Sequence, residues 1–256
     1  MYKIKAFAVR NIKELSRDPL SYIFCLGFPL VMLIIMTIVN ESIPPEANMT
    51  IFRIDNLAGG IAVFGQTFIM LFTAMTVTKD RSGAFLVRMY ASPMKSADFI
   101  GGYILPMIAT AVIQSLVSFA VALVISLISG TEISLVGLLV AVATLIPSAL
   151  MFTAFGLLFG TLFNEKSAPA LCSIMISLAS FLGGIWFDVE SAGGVMLKIC
   201  KVLPFLYFTR TARSSIALDF GFREFILPLI IVTACAVAVT VIAVAVFRSR
   251  MKADLA

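Results

Sequence analysis

The polar interval from Lys79 to Asp98 reads KDRSGAFLVRMYASPMKSAD, and the rest of the sequence is organised around it. It joins two apolar segments, residues 57–78 and 99–129, and neither contains Asp, Glu, Lys or Arg. Both segments exceed the roughly 20 residues that a helix needs to cross a bilayer. The interval is therefore predicted to be a short loop between two membrane spans.

Within this loop, the spacing of apolar residues predicts a helix over 81–90. Residues three and four apart lie on the same side of a helix, so one side would carry Phe85, Leu86, Met89 and Tyr90. Arg81 and Arg88 would lie together on another side. Pro93 would end the helix, because proline lacks an amide hydrogen and disfavours helical backbone at the preceding residue. Such a short amphipathic helix has the shape of a docking element for a cytosolic partner.

The composition indicates an all-α protein that crosses the membrane several times. Of the 256 residues, 61% are hydrophobic and 13% are charged, whereas about 25% of the residues in soluble domains are charged. The net charge of +5 could suggest a nucleic-acid partner. However, the basic residues flank apolar segments instead of covering one soluble face, which favours retention of basic loops in the cytosol and predicts no nucleic-acid binding.

Six apolar runs are long enough to span the membrane: residues 20–39, 57–78, 99–129, 133–163, 168–187 and 225–247. The fourth would reach about 46 Å as one continuous helix, so a tilt or a kink at Pro147 is expected. In the same run, Gly156 and Gly160 form a GxxxG pattern, which lets helix backbones approach closely.

The distribution of basic residues predicts the orientation. Six spans place both termini on one side, where the short flanking segments contain thirteen Lys and Arg residues. The short segments on the other side contain one, Arg53. Because basic loops are retained in the cytosol, both termini are predicted to be cytoplasmic and the protein to lie in the plasma membrane.

Two further segments outside the spans are predicted to contact the membrane. Residues 1–19 form a basic amphipathic helix, which is expected to rest on the headgroups with its apolar side down. Residues 188–224 are predicted to contain two short helices on the outer side. They either dip partway into the membrane or lie flat on it, and both interpretations stay open. The candidate functional residues of this segment are Lys198, Lys201, Pro204, Arg210 and Arg213.

What the spans lack is informative about function. The sequence has no histidine, no ionisable Asp, Glu, Lys or Arg in the six runs, and no GxxxxGK[ST] nucleotide-binding loop. Transport coupled to ions ordinarily needs charged groups in the membrane. A membrane enzyme of lipid metabolism would need clustered acids, histidines or metal ligands. Both are disfavoured alternatives, while a membrane scaffold is not excluded. Gln66 and Gln114 are either bonded to neighbouring helices or part of a substrate path.

The motifs in their order resemble type-2 ABC exporter permeases. The loop carries Asp80-Arg81-Ser82-Gly83, then Arg88, then Ser92-Pro93. Arg10-Asn11-Ile12-Lys13-Glu14 followed by Arg17-Asp18-Pro19 is similar to the elbow helix of that family. The layout of elbow, six spans and an outer helical pair covers the whole chain. The branch resembled most is that of daunorubicin-type drug-resistance permeases.

The resemblance implies a single transmembrane domain over residues 1–256, in which 79–98 is the coupling loop and 188–224 an outer re-entrant pair. It also implies export of a drug, lipid or lipid-linked glycan, powered by a separate ATPase that binds the ATP and Mg²⁺, so this chain needs no cofactor. Two copies, or a copy and a paralogue, would pair within the lipid. The residues expected to couple to the ATPase are Asp80, Arg81, Gly83, Phe85, Arg88, Tyr90 and Pro93.

Overall fold

The computed structural model describes residues 2–44, 50–83, 85–90 and 94–253, and all regular elements in these ranges are helical. The prediction of an all-α protein is therefore confirmed. In chain order the helices are α1 (Tyr2–Arg17), α2 (Pro19–Tyr22), α3 (Phe28–Ser42), α4 (Ile54–Ser82), α5 (Phe85–Tyr90), α6 (Ser96–Ser129), α7 (Leu135–Thr144), α8 (Ile146–Leu162), α9 (Ser167–Leu182), α10 (Val189–Ala192), α11 (Gly194–Val202), α12 (Phe205–Ile216) and α13 (Leu227–Ala253).

Within the described ranges, five helices are long and apolar enough to cross a membrane, as expected for a multi-pass membrane protein. The first, Pro19–Ser42, joins α2 to α3 through a π-helical turn at Ile23–Gly27. The second and third are α4 and α6, and the fourth joins α7 to α8 as Leu135–Leu162. The last, Phe222–Arg250, begins with a π-helical turn and continues into α13.

The predicted span at residues 168–187 is shorter than expected. Helix α9 ends at Leu182 after 16 residues, which at 1.5 Å per residue is about 24 Å. It ends there because the chain turns at Gly184, whose φ of 62° is a left-handed conformation that glycine adopts without strain.

The two ends of α9 nevertheless lie near opposite ends of α4. Just before α9, the Glu165 carboxylate accepts a hydrogen bond from Ser82, the last residue of α4. Just after α9, Ile185 lies beside Gly60, in the second turn of α4. Helix α9 therefore runs antiparallel to α4 along most of its length.

Helix α4 lies at the centre of the bundle. In its most apolar window 83% of the residues are buried inside the protein, compared with 17% in the windows of the first and last spans. Its closest neighbour is α8, because two glycines of α8 face it without side chains. A methyl group added at Gly156 would lie 2.4 Å from the carbonyl oxygen of Met70, and one at Gly160 would lie 2.7 Å from the Cβ of Val77. The GxxxG pattern thus brings two helices of the same chain together.

The fourth predicted span is interrupted near Pro147, where a tilt or a kink was expected, since α7 ends at Thr144 and α8 begins at Ile146. The predicted helix over 81–90 is wrong in its bounds. Helix α4 continues to Ser82, Gly83 follows as a turn, and a separate helix, α5, begins at Phe85. The charged residues at positions 80 and 81 have polar partners inside the protein, so α4 does not end where its charges begin.

Replacement of Gly156 by alanine is expected to force α4 and α8 apart, because the new methyl group meets backbone of α4 that cannot rotate away. Overpacking of this kind costs roughly 1–3 kcal/mol, so the melting temperature of the purified protein in detergent should fall. Gly27→Ala is the matched control, since its nearest neighbour is 3.8 Å away. Equal melting temperatures for the two variants would contradict the proposed close packing.

Candidate functional site at the inner end of α4

The site is built around a buried carboxylate in the last turn of α4. Asp80 has 2% of its surface exposed. Arg10 of α1 donates two hydrogen bonds to it, with Nη1 2.6 Å from Oδ2 and Nη2 2.7 Å from Oδ1. The Tyr103 hydroxyl of α6 donates to Oδ2 at 2.7 Å. One carboxylate therefore holds three helices together, because a buried charge is stable only when it is paired and hydrogen-bonded.

Arg10 also contacts a second acid and an aromatic ring. Its guanidinium lies 2.6 Å from Glu14, and its central carbon lies 4.3 Å from the centre of the Phe85 ring of α5. Burial alone would lower the pKa of Arg10, but the hydrogen bonds and negative charge of Asp80 outweigh it, so the pKa is raised above its usual value. Arg10 therefore remains a cation that joins α1, α4 and α5.

Helix α1 packs on α6 through a side that the sequence assigned to the membrane. Phe7 is buried, and a methyl group at Gly102 would lie 2.1 Å from its ring. Asn11 is also buried and donates to the Gly102 carbonyl oxygen at 2.8 Å. The expectation that the apolar side of α1 rests on lipid is thus wrong for Phe7. Because Gly102 has no side chain, the Phe7 ring of α1 lies directly against the backbone of α6, inside the protein.

Helix α5 is anchored on its apolar side and exposed at Arg88. Leu86 is buried in a cluster formed by residues of α4, α6, α8 and α13. The Phe85 ring stacks on Phe7 with their centres 6.3 Å apart. Arg88 is exposed. Of the other residues predicted to couple, Tyr90 ends α5, and Pro93 lies outside the described residues.

Arg81 is turned away from Arg88, and the prediction that the two share one side of a helix is wrong. Its Nη1 donates to the carbonyl oxygens of Gly160, at 3.1 Å, and Thr161. These carbonyls lie in the last turn of α8, where backbone acceptors lack helical partners and a cation is favourable. Arg81 therefore ties the C-terminal end of α4 to the C-terminal end of α8, while Gly83 separates it from α5.

The two glutamines of the predicted substrate path are both buried. The Gln66 amide donates to the Leu145 carbonyl oxygen at 3.3 Å, and its own oxygen accepts from Ser148 at 2.5 Å. Gln66 thus bridges α4 to the break between α7 and α8. The Gln114 amide donates to Ser118 at 3.1 Å, and the side chain lies against Gly65 of α4. Its Oε1 atom has no hydrogen-bond partner among the described residues.

The residues singled out in the segment 188–224 differ in their burial. Lys198 and Lys201 are exposed on α11, whereas α12, which follows Pro204, is largely buried. Arg213 of α12 donates to the carbonyl oxygens of Asn56 and Gly184, each at 3.0 Å. It therefore joins α12 to the start of α4 and to the turn that follows α9. Arg210 lines a cavity of about 300 Å³ beside it.

Sequence reasoning found Asp80 and Phe85 but missed their partners in α1 and α6. In the sequence, Arg10 and Asn11 stand out only as part of the elbow motif, and Tyr103 lies in an apolar run. The one available signal was Asn11, a polar residue beside the apolar side of an amphipathic helix. In the part of the chain described, no group of three or more His, Cys, Asp or Glu side chains could hold a metal ion.

Loss of Arg10 is expected to destabilise the protein more than loss of Glu14, its second and partly exposed acidic partner. Arg10→Gln leaves the Asp80 carboxylate buried without its cation, and breaking such a pair costs about 3 kcal/mol or more. Glu14→Gln should cost less than about 1 kcal/mol, since this pair is partly exposed to solvent. The measurement is thermal unfolding in detergent, followed by the loss of helical circular dichroism.

Addition of Asp80→Asn to Arg10→Gln tests whether the buried charge is the cause. The double variant should recover part of the lost stability, because the uncompensated carboxylate is gone. If Arg10→Gln alone is as stable as Glu14→Gln, then Asp80 is not held by Arg10. The same conclusion follows if Asp80→Asn destabilises the Arg10→Gln protein as much as it destabilises the unmodified protein.

Comparison with known protein families matches residues 2–217 to the family described as ABC-2 type transporter. No curated protein matches the sequence. The matched region begins in α1, contains the whole site around Asp80, and ends just after α12. These residues form a membrane permease domain. The chain therefore belongs to the ABC-2 type transporter family.

Proposed function

We propose that this chain is the permease subunit of an ABC exporter, which moves a hydrophobic or amphipathic substrate outward with energy from a separate ATPase. ABC-2 permeases generally pair with such a subunit. The observation that carries the proposal is the placement of α5. Its apolar side is fixed in the bundle through Leu86, while Arg88 is exposed at the inner end of the spans. This helix therefore offers a cytosolic partner a contact that is rigidly connected to the membrane domain.

A force on α5 reaches the bundle through two contacts. Phe85 lies against Arg10 and Phe7, so displacement of α5 acts on α1. Arg10 holds Asp80, so it also acts on α4, the central helix of the bundle. In this proposal Asp80 and Arg81 do not contact the ATPase. They pass the movement of α5 on to the bundle, because their side chains bind groups of other helices. Gly83, Phe85, Arg88, Tyr90 and Pro93 belong to the segment that the ATPase contacts.

We further propose six crossings, with α9 as the fifth and both termini in the cytoplasm. Supporting this topology, α9 begins near Ser82 and ends near Gly60, at opposite ends of α4. A hydrophobic helix shorter than the bilayer is accommodated by local thinning of the membrane. Six crossings also place the thirteen Lys and Arg residues of the short segments on one side of the plasma membrane.

The outer segment is proposed to be re-entrant through α12 and not through α11. Phe208 of α12 packs against Phe152 of α8 with ring centres 5.3 Å apart, whereas Ile216 lies against Gly137 near the start of α7. Contacts at such different positions along the fourth span suit a helix that enters the outer half of the membrane. Irregular backbone is tolerated at that depth when protein surrounds it.

Two copies, or this chain and a paralogue, are proposed to pair and enclose the substrate path. ATP and Mg²⁺ are bound by the partner ATPase, and this chain needs no cofactor of its own. The pattern Asp80-Arg81-x-Gly83 supports a place near the daunorubicin-type drug-resistance permeases. Gln66 and Gln114 are proposed to reach the path when the helices around α4 separate during transport.

Charge reversal on α5 tests the coupling. Arg88→Glu should weaken binding to the ATPase that co-purifies with the protein by about tenfold, the effect of losing an interface hot spot. Stimulation of ATP hydrolysis in reconstituted vesicles should fall with it. The melting temperature should stay constant, because Arg88 is exposed. Gly83→Glu, which adds bulk and charge beside α5, should uncouple the pair in the same way.

Arg223→Glu is the matched control, since Arg223 is also exposed but lies at the end of the outer segment, in the π-helical turn before α13. This variant should bind and stimulate the ATPase as the unmodified chain does. If Arg88→Glu and Gly83→Glu both stimulate ATP hydrolysis normally, α5 does not form the contact with the ATPase.

A further inference from the structure

A cleft of about 1180 Å³ lies between α1, the start of the first span and the inner half of α4. It is larger than most pockets for small molecules, which measure about 300–1,000 Å³. Phe72 and Met75 of α4, together with Leu20 of α2, form an apolar part. Lys13 and Arg17 of α1 line a basic part. An apolar surface joined to a basic edge at the end of a membrane span suits an amphiphile better than a soluble metabolite.

The charged groups of the cleft differ in whether they are already satisfied. Each carboxylate that lines it has a donor: Glu14 pairs with Arg10 and Lys79, Asp18 accepts from the Leu20 amide, and Glu165 accepts from Ser82. The side chains of Lys13 and Arg17 make no hydrogen bond or ion pair with any described residue. The groups left to bind a ligand are therefore two cations.

The two cations are placed to bind one anionic group together. Lys13 and Arg17 are four residues apart on α1, so their side chains leave the same side of the helix. Lysine and arginine both bind phosphate, and arginine presents two parallel donors to it. The apolar part continues along α4 toward the membrane interior, where acyl chains would lie.

We propose that this cleft binds a membrane phospholipid, with its phosphate held by Lys13 and Arg17 and its acyl chains against Met75, Phe72 and Leu20. The bound lipid fills the space between α1 and α4 and thereby supports the helix that carries Arg10.

The test measures lipid adducts on the full chain in detergent by native mass spectrometry, with dioleoyl phosphatidylglycerol as the probe. Lys13→Gln/Arg17→Gln should weaken formation of the first adduct by about tenfold, because two charge-assisted contacts to phosphate are lost. Met75→Trp should weaken it as well, since Met75 is 38% exposed and the larger side chain would occupy the apolar part. Both variants should keep the melting temperature of the lipid-free protein.

The matched control is Lys198→Gln/Lys201→Gln, which removes two exposed cations from α11 and should leave the first adduct unchanged. Dioleoylglycerol, which has the same acyl chains without phosphate, should not form the adduct. Inorganic phosphate should not displace the lipid at equal concentration. The proposal is overturned if the Lys13/Arg17 variant or Met75→Trp binds lipid normally, if the control loses the adduct equally, or if dioleoylglycerol binds as well.

Discussion

A buried carboxylate must be neutralised where it lies, and this requirement organises the part of the protein around the C-terminal end of α4. Asp80 is the last buried group of α4; Arg10 balances its charge and the Tyr103 hydroxyl donates a further hydrogen bond to it. These partners come from α1 and α6, so neither helix can move far without exposing an unpaired charge. The same Arg10 covers Phe85, so α5 is included in the constraint.

Close packing around α4 complements this polar contact. Gly156 and Gly160 bring α8 against it, and Gly65 leaves room for Gln114 of α6. Because these contacts involve backbone and small residues, they transmit displacement without much adjustment of side chains. At the outer end, Arg213 connects α12 to the start of α4 and to the turn after α9. Helix α4 thus joins the site around Asp80 to the segment that contains α12.

An ABC-2 permease needs an inner contact that moves and a membrane path that responds to it. In the mechanism proposed for this chain, the two are connected by α4, in which Asn56 lies beside Arg213 and Asp80 lies beside Arg10. The spans contain no other buried Asp, Glu, Lys or Arg in the part of the chain described. The energy for movement is thus proposed to enter mechanically through α5, and the lipid cleft beside α1 would adjust how firmly that helix is held.

The sequence alone determined the all-helical membrane class, the break near Pro147, the position of the inner loop and the acidic residue at its start. These follow from local properties: apolar length, proline geometry and the sites where charges interrupt a span. Only the tertiary structure decided that α4 continues to Ser82, that Arg81 binds the end of α8, and that Phe7 and Asn11 face α6. Each depends on a partner 70 or more residues away in the chain. Periodicity shows which side of a helix is apolar, but not which surface covers it, and here the space left at Gly102 and the buried charge of Asp80 made that choice.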